Sequence, residues 1–109
     1  MNFSDYQVKA MRSAHVKEPG ELRTLQNAAL GLAGESGEVA DMIKKVSFQG
    51  HSLDSRHLAE EVGDILWYCA LAATGLGMDL DEIASNNIAK LMKRYPDGFD
   101  AERSIHRED

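Results

Sequence analysis

The sequence has 109 residues and a formal net charge of −6, with 18 Asp or Glu residues against 12 Lys or Arg. This length predicts one domain near the small end of chains that bury a self-sufficient core, which favours association with further copies. The acidic balance argues against broad binding to nucleic acid or membranes, and no apolar run approaches the roughly 18 residues of a membrane span.

The single cysteine, Cys69, has no partner for an intrachain disulfide. A reducing cytoplasm fits this composition. The first residues also lack the basic and apolar regions of a signal peptide. We therefore expect a cytoplasmic protein.

The first half of the chain predicts two helices separated by a turn. Ser4 can cap the first turn of helix 1 and Gln7 can complete a capping box, so we expect helix 1 to run from Asp5 to about His15. Pro19-Gly20 is typical of a turn, after which helix 2 should start at Glu21 or Leu22 and reach about Phe48. Helix 2 also contains three regularly spaced glycines that suggest close packing, a kink or close ligand approach: Gly31, Gly34 and Gly37.

The second half predicts two further helices and a tail. Gly50 ends helix 2, and cap candidates between Ser52 and Ser55 begin helix 3, which should continue to about Thr74. Asp79 begins helix 4, and Pro96 limits it to about Tyr95. We therefore expect an all-α fold, a four-helix bundle-like domain over residues 1–109 in which 97–109 form a polar, partly helical tail.

Two carboxylate pairs on neighbouring helices are the main chemical signal. Glu35 and Glu38 are three residues apart on helix 2, and Glu61 and Asp64 have the same spacing on helix 3. Each pair projects from one face of its helix, so four acidic groups could converge. Such a pocket of oxygen ligands is the environment that hard divalent cations select.

The helical phase relates these acids to the predicted core. At about 100° per residue, Glu35 lies inside the apolar arc of helix 2 and Glu38 at its edge, while Glu61 and Asp64 flank the arc of helix 3. The alternative is that both pairs are solvated faces paired with Lys or Arg. Carboxylates at a core boundary need a compensating cation or donors, which favours a metal site.

Helix 4 carries the opposite charge. Asn87, Lys90 and Arg94 fall along one stripe beside the apolar face of this helix. Lys90 and Arg94 could hold phosphate oxygens, or they could extend their charges into water over buried stems. Together with a metal pocket they would complete a site for a polyanion.

Three segments resemble the MazG-like nucleotide pyrophosphohydrolases of the all-α NTP pyrophosphatase superfamily, over roughly residues 22 to 99. These segments are GLAGESGEVAD at 31–41, EEVGDILWY at 60–68, and the Asn87-x-x-Lys90-Leu91-x-x-Arg94-Tyr95-Pro96 motif. The combination of the two acidic pairs with the helix 4 motif is specific, although each element alone is weak. The chain looks like a short, single-domain member, since it carries one copy of the domain.

The resemblance implies cleavage of a nucleoside triphosphate to the monophosphate and pyrophosphate in a homodimer or homotetramer. It implies Mg²⁺, with Mn²⁺ as a possible substitute, which would activate a water for attack on the α phosphorus. The residues that it assigns are Glu35, Glu38, Glu61 and Asp64 to the metal, Lys90 and Arg94 to the phosphates, and Asn87 to the nucleotide. Glu38 is our choice for the general base.

Other conspicuous residues have simpler interpretations. The four histidines form no Glu-x-x-His spacing, so a di-iron centre is disfavoured. Cys69 fits the core, and Trp67 and Tyr68 fit packing or a subunit interface better than base stacking. Gln26 and Asn27 could read a base edge but fit solvated or interface amides better.

The sequence therefore predicts a nucleotide pyrophosphohydrolase with a house-cleaning role in nucleotide pools. Phosphoribosyl-ATP pyrophosphohydrolase is the enzymatic alternative, because that enzyme shares the acid-rich helical site of the superfamily. A helical oligomerisation module with a solvated acidic surface is the non-enzymatic alternative. Mg²⁺-dependent release of pyrophosphate would separate an enzyme from such a module.

Overall fold

The computed structural model describes residues 1–16 and 20–107. Within these residues the chain forms no strand, and its one bridge joins Pro96 and Gly98. The predicted all-α class is confirmed. The helices are α1 (Phe3–Ala10) followed by a 3₁₀ turn (Met11–Ser13), α2 (Leu22–Phe48), α3 (Ser55–Gly75), α4 (Leu80–Arg94) and α5 (Ala101–Ile105).

The two long helices α2 and α3 form the framework of the domain. The start of α2 meets the end of α3, where a Cβ on Gly75 would lie 3.1 Å from the Thr24 side chain. Near the middle of α2, Gly31 packs directly under the Tyr68 ring, so close that a Cβ at Gly31 would overlap this ring. This order of contacts makes the two helices antiparallel. The glycine at position 31 thus serves close helix packing, one of the three roles predicted for it.

The structure corrects the predicted start of the chain. Asn2, rather than Ser4, caps α1, because its Oδ1 accepts a hydrogen bond from the Asp5 amide at 2.8 Å. The Ser4 hydroxyl lies instead 2.7 Å from Asp79 Oδ1 and 2.8 Å from Asp81 Oδ2. The α-helix ends at Ala10 and tightens into the 3₁₀ turn, so it is shorter than predicted.

Gln7 was assigned wrongly to the same capping box and instead joins α1 to the α3–α4 junction. Its Nε2 donates to Thr74 Oγ1 and to the Met78 carbonyl, both at 3.0 Å. Its Oε1 accepts a hydrogen bond from the Leu80 amide at 2.7 Å. A side chain of α1 therefore satisfies one of the amides that the first turn of α4 leaves unpaired.

The other helix limits follow the predicted signals. The α2 helix spans Leu22–Phe48 as predicted, and Asp54 caps α3 through the His57 amide at 3.1 Å. Asp79 caps α4, which ends at Arg94, two residues before Pro96. Pro19 lies outside the described residues, whereas Gly20 has the positive φ of +82° that a turn glycine adopts readily.

The chain alone buries little apolar surface. Its central cluster contains Ala70, Ala73 and Leu80, against which Cys69 and other partly buried side chains pack, as expected for Cys69. Two apolar side chains of α4 are largely exposed: Ile88 has 60% and Met92 has 58% of its surface accessible to solvent. The radius of gyration is 16.8 Å, against about 13 Å expected for a compact chain of this length. Over the described residues, no helix is both long and apolar enough to cross a bilayer.

Candidate metal centre

Three glutamates from α2 and α3 converge at one place. Glu35 and Glu38 extend from α2 and Glu61 extends from α3, and one carboxylate oxygen of each lies within 4.8 Å of the others. The i, i+3 spacing on α2 and the antiparallel packing of α3 bring these side chains together. We call this group the acidic cluster. A cation held between them could receive an oxygen ligand from each glutamate.

The three glutamates of the acidic cluster differ in how deeply they are buried. Glu61 is 9% exposed and Glu35 is half-buried, whereas Glu38 is exposed. The Oε2 atoms of Glu35 and Glu61 are buried, and neither has a hydrogen-bond partner among the described residues. Buried carboxylate oxygens without a donor are costly, so this arrangement requires a proton or a cation between the carboxyls.

The short distances between these carboxyl groups shift their pKa values in different directions. A hydrogen bond with Glu61, burial and the neighbouring acidic charges together raise the pKa of Glu35 to about 7. The same contact, with Glu35 as the donor, lowers the pKa of Glu61. The charge of Glu61 raises the pKa of Glu38. When Glu35 is protonated it donates this hydrogen bond to Glu61, and loss of that proton leaves two neighbouring carboxylates that repel each other.

Asp64 lies beside the acidic cluster rather than within it. This residue is exposed and one turn beyond Glu61 on α3. Its charge contributes to the raised pKa of both Glu35 and Glu38. The group of three mutually close carboxylates does not include it.

His57 is a neighbour of the acidic cluster that sequence reasoning missed. Its Nε2 lies 3.2 Å from Glu61 Oε1, on the same face of α3. The charge of a protonated His57 contributes to the lowered pKa of Glu61. The signal in the sequence is the i, i+4 spacing of His57 and Glu61, which differs from the Glu-x-x-His spacing of di-iron sites.

The α4 stripe consists of Asn87, Lys90 and Arg94 in the second half of the helix. Asn87 and Lys90 are exposed, and within the described residues Lys90 forms no ion pair with the three glutamates. Arg94 is half-buried at the end of α4, where its carbonyl accepts a hydrogen bond from Arg103 Nη1 at 3.4 Å. The C-terminal half of α4 thus presents Asn87 and Lys90 to solvent next to exposed apolar side chains.

Comparison with known proteins gives two matches. The family model for the MazG nucleotide pyrophosphohydrolase domain matches residues 23–99. The Gene 37 protein of Mycobacterium phage L5 is 29% identical over 105 residues, which cover 90% of this chain and 92% of the phage protein. No solved structure gives a significant match. The span of the family match contains both acidic pairs and the α4 stripe.

Proposed function

This chain belongs to the MazG nucleotide pyrophosphohydrolase family, and we propose that it is a Mg²⁺-dependent enzyme that cleaves a nucleoside triphosphate to the monophosphate and pyrophosphate. The observation that carries the proposal is the pair of buried oxygens on Glu35 and Glu61, which have no hydrogen-bond partner in the part of the chain that the structure describes. A set of donors made only of carboxylate oxygens suits a hard cation such as Mg²⁺, or Mn²⁺ in its place.

We assign Glu35, Glu38, Glu61 and Asp64 to the metal. The three glutamates already approach one another closely enough to share an ion. Asp64 would contribute from the exposed side of the cluster. A bound Mg²⁺ would supply positive charge that neutralises phosphate oxygens and makes a neighbouring water more acidic.

Glu38 is the residue to which we assign the role of general base. It is the exposed member of the acidic cluster, so a water on the substrate side can reach it, whereas the Oε2 atoms of Glu35 and Glu61 are buried. The charge of Glu61 raises the pKa of Glu38 and makes its carboxylate a better proton acceptor. Glu38 would take the proton from the water that attacks the α phosphorus.

The α4 stripe would bind the phosphates in a homodimer or homotetramer. Lys90 and Arg94 supply cationic donors that orient phosphate oxygens, and Asn87 supplies an amide near the nucleotide. Since Lys90 is exposed and unpaired with the glutamates in one chain, its contact with the substrate fits an assembly in which α4 of one copy approaches the acidic cluster of another. The exposed Ile88 and Met92 beside the stripe support such an interface.

The test is a panel of canonical, deoxy and modified nucleoside triphosphates, incubated with the protein and Mg²⁺ and assayed for both products. We expect equal amounts of monophosphate and pyrophosphate from at least one substrate, and none after removal of Mg²⁺. A preference for modified nucleotides would support a house-cleaning role in nucleotide pools. Release of orthophosphate instead of pyrophosphate would contradict the proposal. Failure to hydrolyse every triphosphate of the panel, and phosphoribosyl-ATP as well, would also contradict it.

A further inference from the structure

His57 contacts the acidic cluster from the first turn of α3. Its Nε2 lies 3.2 Å from Glu61 Oε1, and the two residues are about one turn apart on the same face of the helix. Among the described residues, no ion pair joins Glu35 or Glu38 to a basic side chain. Within this part of the chain, Glu61 is therefore the glutamate of the cluster that has a basic nitrogen beside it.

The two oxygens of the Glu61 carboxylate lie in different environments. Oε1 is next to the His57 imidazole, whereas Oε2 is buried and has no hydrogen-bond partner among the described residues. The terminal torsion of a glutamate is broad and roughly twofold, so a carboxylate without a fixed partner turns easily about its last bond. A hydrogen bond from His57 Nε2–H to Oε1 selects one orientation and leaves Oε2 available to a cation. Either the neutral imidazole with its proton on Nε2 or the imidazolium supplies this donor.

The backbone of His57 is also held in place. Asp54 Oδ1 accepts a hydrogen bond from the His57 amide at 3.1 Å, and the Asp54 carbonyl accepts one from the Leu58 amide at 3.0 Å. A side-chain cap of this kind satisfies an amide that the first turn of a helix leaves unpaired, and it stabilises the helix end. The imidazole therefore extends toward Glu61 from a fixed point on α3.

A second His–Glu pair with the same spacing provides a comparison at the end of α5. His106 Nε2 lies 3.5 Å from Glu102 Oε2, and the two side chains are 75% and 80% exposed. In the pair formed by His57 and Glu61, the glutamate side chain is only 12% exposed. Water screens the pair on α5, whereas it is largely excluded from the Glu61 carboxylate, so the contact with His57 is the stronger of the two.

We propose that His57 is a positioning residue of the metal centre, which holds the Glu61 carboxylate in the orientation that receives Mg²⁺. This inference rests on the proposed function, to which it adds a residue that acts through a metal ligand and does not touch the ion. Removal of a hydrogen-bond partner that orients a ligand typically lowers metal affinity 10- to 100-fold. Because the His57 side chain is 54% exposed, we expect a loss of about tenfold, at the lower end of this range.

The first test compares His57→Gln with His57→Met by isothermal titration of the metal-free protein with Mg²⁺. Both new side chains are neutral and similar in length, but only glutamine keeps an N–H donor. We expect His57→Met to raise the Mg²⁺ dissociation constant about tenfold and His57→Gln to restore most of the wild-type affinity. Both variants change the charge equally, so their difference reports the hydrogen bond. Equal Mg²⁺ affinities in the two variants would overturn the inference.

His106→Met is the matched control, because it removes a histidine from the same kind of pair outside the acidic cluster. We expect this variant to bind Mg²⁺ with wild-type affinity. Circular dichroism in EDTA should give the same helical content for all of the variants and for wild type. A lower helical content in His57→Met than in His57→Gln would show that His57 maintains the fold of α3, and it would overturn the positioning role.

The second test distinguishes positioning from direct ligation by repeating the titrations with Ni²⁺. An imidazole nitrogen is a good ligand for Ni²⁺, whereas Mg²⁺ prefers oxygen. A residue that acts only through Glu61 should change both affinities by a similar factor, so we expect His57→Met to keep the wild-type ratio of the two dissociation constants. A loss of affinity confined to Ni²⁺ would make His57 a ligand and overturn the inference.

These titrations also separate this inference from the proposed enzymatic activity. If Mg²⁺ binding weakens in His57→Met and is restored in His57→Gln, but wild type hydrolyses no triphosphate, the pyrophosphohydrolase proposal fails while the positioning role stands. Hydrolysis by wild type with equal Mg²⁺ affinities in the two variants would give the opposite result. If metal-free wild type does not bind Mg²⁺ at all, Glu61 is not held ready for the ion and the inference fails.

Discussion

At the scale of single residues, the carboxyl groups of Glu35 and Glu61 form the buried part of the acidic cluster. They approach each other across α2 and α3, and each contributes a buried oxygen with no donor among the described residues. Such a pair is stable only with a proton or a cation, and the raised pKa of Glu35 is the signature of the proton. Binding of a metal should therefore displace a proton from the acidic cluster.

Substitution of the cluster should separate metal binding from folding. We expect Glu38→Gln and Glu61→Gln to lose most Mg²⁺ binding and most turnover while they keep the helical fold, because the change removes a ligand charge and also relieves repulsion. Glu60→Gln is the matched control, since Glu60 is exposed and adjacent but lies outside the cluster. Isothermal titration and circular dichroism measure both properties. Wild-type Mg²⁺ affinity and rate in both cluster variants would exclude these residues from the site.

The pH dependence of stability should report on Glu35. Its pKa is about 7 in the folded, metal-free protein against an ordinary value of 4.5. The folded state therefore holds this proton more tightly, and its stabilising effect is present below about pH 4.5 and lost as pH rises through about 7. We expect wild type to lose stability relative to Glu35→Gln between pH 5 and pH 8 in EDTA.

Urea unfolding of both proteins at each pH measures this difference. Saturating Mg²⁺ should reverse the trend for wild type, because the ion binds the ionised carboxylate. A difference in unfolding free energy that stays constant over this pH range would mean that Glu35 is ionised throughout.

At the scale of helices, α4 joins two different environments. Its first turn is held by Gln7 and packs near the central cluster, whereas its second half is exposed. Helix α4 thus has the anchoring of a core helix at one end and the surface of an interface at the other. The cationic stripe lies on the exposed half.

Lys90→Ala and Arg94→Ala should reduce catalytic efficiency toward triphosphates without changing Mg²⁺ binding. The loss of one charge-assisted contact corresponds to about 1.5 to 3 kcal/mol, or roughly tenfold to a hundredfold in kcat/KM. Lys93→Ala is the control on the same helix. Circular dichroism and oligomer size must match wild type first, because Arg94 lies at the end of α4 and near Arg103. Wild-type kcat and KM in both folded variants would make the stripe a solvated face.

Sequence reasoning located the helices whose ends depend on local signals. Asp54, Asp79 and Pro96 limit α3 and α4 by hydrogen bonding or backbone geometry within a few residues. It failed for Ser4 and Gln7, because both side chains leave their own helix to contact residues more than 65 positions away. Local propensity contains no information on such contacts.

The candidate site shows the same division. The spacing of Glu35 and Glu38 on α2 and of Glu61 and Asp64 on α3 predicts four acids in one pocket, and three of them, without Asp64, lie close together. The sequence could not give the burial of the Glu61 carboxyl, because this burial depends on how closely α2 and α3 pack together.

At the scale of the whole molecule, the radius of gyration of 16.8 Å is larger than a compact chain of this length would have. Apolar side chains remain exposed on several helices. On α2, Leu30 is 75% accessible to solvent, and on α4, Ile88 is 60% accessible. A chain of this size needs more buried apolar surface than its small central cluster supplies. Self-association would cover these side chains.

We expect a homodimer or homotetramer at micromolar concentration, which light scattering will measure. Ile88→Asp combined with Met92→Asp should lower the measured mass and the activity, because two charges would lie in the proposed apolar contact. Val8→Asp, at an exposed apolar position of α1, is the control. A well-folded monomer with full activity would contradict the expected assembly.

The hydrogen bonds of Gln7 connect the N-terminal segment to the start of α4, the helix that carries the stripe. Gln7 donates to the Met78 carbonyl and accepts from the Leu80 amide, so removal of the first seven residues would delete these hydrogen bonds and leave the start of α4 held by the packing of Leu80 against Ala70 and Ala73. Lys90 lies ten residues along the same rigid rod, so a small tilt at Leu80 becomes a larger displacement at Lys90. Proteolytic trimming of the N-terminus would thus displace the α4 stripe, to which we assign phosphate binding, while leaving the three glutamates of the acidic cluster in the chain.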